Sequence, residues 1–279
     1  MKILTLSDWQ ALATKDPEDW RRLICRKIDA CIEHTNTSVI SASFAENCQL
    51  DQGPLAGVAY AVKDLFNVAG WPTHNSSIFP ELLDHAAETS ADIVLRMNEL
   101  GATCVAKTQM NEFAYGLSGE NPHYGDCAHP HLQGCLSGGS SSGSAHTVAA
   151  GYLPLAFGTD TGGSIRLPAA WCGIYGVRWS PDYFMGGGFP LAPSFDTMGW
   201  FTKTGGAMRV MLEAWFGESF GVGESSAIRG QYFLPEDQIL PETCEAMNRR
   251  FQDLGLQEIE RAVELRALLP KCQRSFNIL

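Results

Sequence analysis

No histidine follows His146 in this 279-residue chain. The absence matters because Gly139-Ser140-Ser141-Ser142-Gly143 has the G-x-S-x-G form of a nucleophile elbow. The fold that uses this elbow orders its triad as serine, then acid, then histidine. His146 follows Ser141 too closely to come after an acid on a later strand, so chain order excludes the α/β-hydrolase arrangement. The chain also lacks any C-x-x-C pair. Its 9 cysteines are odd in number and scattered, which argues for reduced thiols in a cytosolic setting over a disulfide framework or a zinc site. No apolar run approaches the roughly 18 residues of a membrane-spanning helix. The N-terminal run Met1–Leu6 is too short, before Ser7 and Asp8, for a signal peptide. No basic stripe is present, and the formal net charge is −11, so nucleic acid is not an expected partner. Internal repeats and low-complexity runs are absent. The composition, 45% hydrophobic and 18% charged, is that of a soluble globular protein long enough for one large domain.

What is present concentrates in residues 137–171. Two Gly-Gly-Ser triplets occur there, at 138–140 and 162–164. Between them lie a run of small residues and an apolar strand. A serine after two glycines sits where backbone N–H groups approach a ligand without side-chain obstruction. Successive exposed N–H groups form a concavity that attracts an oxyanion. A serine nucleophile needs a base. His74, His85, His123, His129 and His131 lie upstream, none in a recognisable setting, which leaves lysine as the remaining basic candidate. Lys63 ends the apolar run Gly57-Val-Ala-Tyr-Ala-Val, which reads as a buried strand. A buried lysine must be paired or lose its charge, and a neutral lysine is a competent base. The competing reading is a lysine snorkelling from a strand end with Asp64 beside it.

These residues carry a resemblance. Gly53-Pro-Leu-Ala-Gly-Val, Val62-Lys-Asp, Ser137-Gly-Gly-Ser-Ser-Ser-Gly-Ser, Gly158-Thr-Asp-Thr-Gly-Gly-Ser-Ile-Arg-Leu-Pro-Ala and Cys172-Gly-Ile-Tyr-Gly-Val are similar to the motifs of the amidase signature family of serine hydrolases. They occur in the family's order, from about residue 53 to about residue 204. The resemblance implies a Ser-cisSer-Lys triad on Lys63, Ser140 and Ser164, with Ser164 acylated and Ser140 following a cis peptide. It places the N–H groups of Thr161, Gly162, Gly163 and Ser164 in the oxyanion hole. It implies cleavage of a carbon–nitrogen amide bond in a small-molecule substrate, with no metal or organic cofactor. It also keeps two other readings open, a glutaminase subunit of an amidotransferase and a non-catalytic homologue. Lys107, in Lys107-Thr-Gln-Met-Asn-Glu-Phe113, is the rival base, ranked lower because only Lys63 has the Val-Lys-Asp context. Asp160 and Arg166 read as an ion pair shaping the nucleophile loop, and Cys172 as a small buried hydrophobe. Trp71, Tyr115, Tyr124 and Trp171 either line a pocket or fill the core. The loop 116–137 either lines a pocket or covers the sheet.

The expected fold is α/β, a mixed and partly parallel β-sheet covered by helices, in one domain over 1–279. Ser7 is expected to cap a first helix, Asp16-Pro17 to start a second and Ser90 to cap a third. A strand is expected near Val39-Ile40, others at 57–62, 103–106 and 155–157, and a small-residue helix after Gly143. Beyond residue 204, where the family's variable C-terminal part begins, a helix is expected at 207–216 and a Gly/Ser-rich linker at 217–226. Strands are expected at 231–234 and 256–260, and helices at 242–254 and from Val263. Members of the family are usually considerably longer, so the chain reads as C-terminally shortened, a naturally short variant or a truncated product. Apolar surface around 256–279 is then expected to be left uncovered, implying self-association, as a homodimer for example, or low stability and weak turnover.

Overall fold

Strand β2 (Ala59–Lys63) is buried along its whole length, as a strand at the centre of a helix-covered sheet must be. It pairs in parallel with β3 (Thr103–Thr108) on one side and with β4 (Leu155–Thr159) on the other. β1 (Val39–Ala42) adds antiparallel to β3, β6 (Met198–Thr202) adds antiparallel to β4, and β5 (Tyr175–Arg178) pairs antiparallel with β6. The six-stranded order is β1-β3-β2-β4-β6-β5. The expected mixed, partly parallel sheet is therefore present, with a parallel centre and antiparallel flanks. The computed structural model describes residues 4–35, 39–42, 52–83, 85–181, 183, 185–219, 231–232 and 239–258.

Side chains alternate across the sheet, and that alternation sorts the core into two layers. Tyr60, Val62, Leu155, Phe157 and Trp200 point to one layer. They meet Ile93, Val94 and Met97 of α4 (Asp92–Glu99) and Met211 and Trp215 of α7 (Gly205–Phe216). Ala59, Ala61 and Ala156 point to the other. There they meet Trp20, Ile24 and Ile28 of α2 (Pro17–Thr35), Trp9 of α1 (Leu6–Lys15), and Ala145, Val148 and Ala149 of α5 (Ser142–Ala149). Alanines on both sides let α5 lie close against the sheet. Trp200 anchors the aromatic cluster of the first layer. It is buried, with ring centroids 5.9 Å from Phe157, 5.2 Å from Trp179 and 5.4 Å from Trp215.

Two caps differ from expectation. Helix α1 is capped by Thr5, not Ser7, because Asp8 stands at the third helical position and closes a capping box. The Thr5 N–H donates to Asp8 Oδ2 at 2.8 Å and the Asp8 N–H to Thr5 Oγ1 at 3.2 Å. Ser90 does not cap α4. Its hydroxyl accepts from the Ala69 N–H at 3.0 Å, and Ala91 is the N-cap residue without a side-chain bond. In the long connection after β2 lies a single helical turn, α3 (Pro80–Leu83). The loop that carries Ser164 runs into α6 (Arg166–Cys172).

Residues Met1–Glu218 form one compact unit and Ser219–Leu279 another. In the second, β7 (Gln231–Tyr232) pairs in parallel with β8 (Gln257–Glu258), and α8 (Pro241–Asp253) lies between them in sequence, opening on a proline. Residues 233–234 and 259–260 of the two expected strands lie outside the described residues. The expected helix from Val263 lies outside the described residues, as do 220–226 of the expected linker and 259–279 of the expected uncovered surface. No helix among the described residues is long and apolar enough to cross a membrane. No disulfide joins the seven described cysteines.

Candidate active site

The three parallel strands end together at Lys63, Thr108 and Thr159. In open α/β sheets the carboxyl ends of the strands are where ligands bind. The start of α5 is pinned over this edge. Ser144 Oγ donates to the Phe157 carbonyl at 2.8 Å and lies 2.6 Å from Thr108 Oγ1, and the Gly143 N–H donates to the Gln109 carbonyl at 2.9 Å. The turn before the helix approaches β4 so closely that a Cβ on Gly158 would lie 2.5 Å from Ser141 Oγ. Only glycine leaves that room.

Lys63 is fully buried. Its Nζ donates to Ser140 Oγ at 2.6 Å and to Thr159 Oγ1 at 2.9 Å. It has not snorkelled out, and its neighbour Asp64 does not pair with it. Burial brings its pKa down from 10.5 to about 7, while the charges of Asp160 and Asp196 act in the opposite direction. The Gly139–Ser140 peptide is cis. The Asn111 N–H donates to the Ser140 carbonyl at 3.2 Å. The Ser141 N–H donates to the Ser164 carbonyl at 3.2 Å, which joins the two serine segments through the backbone. Ser140 and Ser164 are both buried. Among the described residues the Ser164 hydroxyl makes no hydrogen bond to Ser140.

The loop that carries Ser164 is wound around Asp160. Its Oδ1 accepts from the Gly163 N–H at 2.8 Å and Arg166 Nη2 at 2.9 Å. Its Oδ2 accepts from the Ile165 N–H at 3.1 Å, the Arg166 N–H at 3.2 Å and Arg166 Nε at 3.0 Å. Burial raises the carboxyl's pKa, but Arg166 and these N–H donors outweigh it and hold the group below the usual carboxylate range. The expected ion pair is there and shapes the loop. One donor expected in the oxyanion hole is thereby committed elsewhere: the Gly163 N–H serves Asp160. The N–H groups of Thr161, Gly162 and Ser164 have no protein acceptor among the described residues. Gly162 is exposed. Gly163 has φ +140°, in the region that favours glycine.

Lys107 lies on a different network. It is fully buried, and its Nζ reaches Asp64 Oδ1 at 3.0 Å, Thr73 Oγ1 at 2.8 Å and the Pro72 carbonyl at 2.9 Å. Burial lowers its pKa, with Asp64 opposing. Asp64 also accepts from the Ser76 N–H at 2.8 Å. This rival lysine is a clamp on the loop 72–77 and touches neither serine. The histidines are likewise elsewhere: His123 bonds Glu112, His74 bonds Tyr124, and His129, His131 and His146 meet backbone carbonyls of Trp171, Ala149 and Ala128. The Cys172 thiol is buried and pushed up to about 12 by that burial. Trp71 packs against the core, Tyr115 is 84% exposed, and Trp171 lies over Gly138. No group of three or more His, Cys, Asp or Glu among the described residues is arranged to hold a metal ion.

The Amidase family model matches residues 22–237. The chain belongs to the amidase signature family. It is a family whose members act at amide carbon–nitrogen bonds, by hydrolysis or related amido transfer. Among curated relatives, Amidase 1 of Oryza sativa subsp. japonica is 43% identical over 153 residues, covering 54% of this chain and 35% of that protein. The A subunit of the glutamyl-tRNA(Gln) amidotransferase of Treponema pallidum (strain Nichols) is 38% identical over 189 residues, covering 67% of this chain and 36% of the relative. A solved amidase structure superimposes with a TM-score of 0.80 at 30% identity, covering 92% of this chain and 63% of the other. The matched stretch thus spans about a third of the curated relatives' length. Within this amidase-family site, Thr159 and Asp196 escaped the sequence reading. Thr159 lies inside the quoted Gly158-Thr-Asp-Thr motif, so its position was visible but its bond to Lys63 was not. Asp196 lies far down the chain, and only the pairing of β4 with β6 brings it to Thr161.

Proposed function

We propose that the chain cleaves an amide carbon–nitrogen bond through an acyl-enzyme on Ser164. The observation that carries this reading is the contact of buried Lys63 with Ser140. With a pKa of about 7, roughly half of the lysine is a neutral base at neutral pH. Neutral Lys63 takes the Ser140 proton as Ser140 takes the proton of Ser164. The Ser164 oxygen attacks the substrate carbonyl, and the N–H groups of Thr161, Gly162 and Ser164 receive the oxyanion. Collapse breaks the carbon–nitrogen bond, and the proton held on Lys63 passes through Ser140 to the leaving nitrogen. Water, deprotonated along the same path, then releases the acid. The Ser164 hydroxyl turns toward Ser140 when substrate engages, a tightening common at sites that lack their substrate.

A second reading shares every step up to the free ammonia. In it the chain is the glutaminase part of an amidotransferase, and the ammonia passes to a partner instead of to water. The 38% identity to the amidotransferase relative over 67% of this chain favours it. A panel of aliphatic, aromatic and ureido amides and glutamine, with ammonia release as readout and Ser164→Ala as blank, tests the shared chemistry. Turnover of simple amides supports the hydrolase. Glutamine turnover that rises with a co-purifying protein supports the transferase. No release above the blank from any amide contradicts both.

A further inference from the structure

Asp196 is an unusual carboxylate for its place. It is buried, in the segment that leads into β6. Its Oδ1 accepts from the Thr161 hydroxyl, and its Oδ2 from the Leu191 N–H at 2.8 Å and the Ala192 N–H at 2.9 Å. All three partners are neutral. The other buried carboxylate at the site, Asp160, has its charge met by Arg166 at 2.9 Å. Asp64, next to Lys63 in sequence, is met by Lys107 at 3.0 Å. Asp196 makes no ion pair among the described residues. Burying a carboxylate on neutral donors alone is costly, and an asparagine, accepting from the 191–192 N–H groups and donating to the Thr161 hydroxyl, could hold both without that cost.

The geometry brings this charge to the base. Lys63 donates to Thr159 at the end of β4, and Thr159 pairs with Met198 of β6. The ladder continues one step further, since the Asp160 N–H donates to the Thr197 carbonyl at 2.9 Å. Thr161 then reaches Asp196. The charged groups around Lys63 are Asp160 with Arg166 on the nucleophile loop, Asp64 on its own strand's end with Lys107 of β3, and Asp196. The first two carboxylates each have a cation in contact, although the Asp160 charge also favours the charged lysine. We propose that Asp196 is a positioning residue whose uncompensated charge raises the pH at which Lys63 becomes a base. The proposal rests on the reading of Lys63 as base. The Coulomb pull of Asp196 on the Lys63 ammonium agrees with it in sign. Asp196 favours the charged lysine, and so offsets part of the effect of burial. It ties that offset to the loop that carries Ser164.

The test needs no knowledge of the natural substrate. A neutral fluorophosphonate reacts with the nucleophile, fluoride leaves, and the serine proton goes to the base. Its second-order rate is measured from pH 5 to 9. The unaltered protein is expected to gain reactivity through a midpoint near 7. Asp196→Asn is expected to move that midpoint to lower pH, so that reactivity at pH 6 rises relative to the plateau. Thr161→Val removes the hydroxyl contact and keeps the charge, so its midpoint stays while its plateau falls. Should Asp196→Asn not fold, Asp196→Ser is measured in its place with the same expected shift. A folded neutral variant with an unmoved midpoint overturns the proposal. A midpoint near 7 absent from the unaltered protein overturns instead the reading of Lys63 as base, and the proposal falls with it.

Discussion

Lys63→Ala removes the group on which the proposed chemistry depends. An ordinary lysine has a pKa of 10.5, and burial brings Lys63 to about 7. At pH 7 that turns a side chain neutral in about one molecule in three thousand into one neutral in about half, a gain of roughly a thousandfold in base. Loss of a general base with its relay costs roughly 10²–10⁴-fold in rate, and the Lys63→Ala protein is expected to fall in or beyond that range. The pH profile follows from the same shift. The active form is the deprotonated amine, so the rate rises with pH, climbing about tenfold per unit below 7 and levelling above it. The linked stability has its own sign. The folded state binds fewer protons than the unfolded between about 7 and 10.5, so stability rises with pH across that window. Lys63→Met is therefore expected to be more stable than the parent by a few kcal/mol below pH 7, as an order of magnitude. That advantage shrinks as pH approaches 10.5. Initial rates on an amide that is turned over, from pH 5 to 9, and urea unfolding at pH 6 and 9 measure both. A flat rate across pH 6 to 9, or retained turnover in Lys63→Ala, refutes the reasoning.

Two further perturbations address the frame around the triad. Lys107→Met leaves Asp64 buried without its cation and is expected to cost about 3–5 kcal/mol in urea unfolding. Adding Asp64→Asn should recover much of that, and a single-variant loss below about 1 kcal/mol contradicts the clamp. Gly163→Ala has room for its Cβ, 3.9 Å from Leu117 and Leu167, but must hold φ +140°. It is expected to lose about 1–3 kcal/mol of stability and most of its turnover as the loop leaves Asp160, and parent-like values for both contradict the need for that backbone conformation.

The sequence made the parts of the site legible where chemistry is compressed into short motifs. Lys63 ends an apolar run, and Ser140 and Ser164 each follow a glycine pair. The mixed sheet was legible from apolar strands alternating with helical patterns. What stayed hidden depends on pairing across distance or on competition between near-equal local signals. Thr5 and Ser7 both precede apolar helical residues, and only the reach of Asp8 back to Thr5 chooses between them. Asp64 follows Lys63 in the chain, but strand alternation sends it to Lys107 on the neighbouring strand. The Gly163 N–H looked open because a glycine triplet does not reveal that Asp160 folds back onto it. The antiparallel flanks β5 and β6, and with them Asp196, needed the sheet order that local periodicity does not contain.

The central claim is that Ser164 is the acylated nucleophile, with Ser140 as relay and not as target. Intact-protein mass spectrometry after fluorophosphonate treatment, followed by peptide mapping, tests it directly. The account predicts one adduct, on the peptide carrying Ser164, absent from Ser164→Ala and slowed by orders of magnitude in Lys63→Ala. An adduct on Ser140 or Ser141, or undiminished labelling of Ser164→Ala, contradicts it.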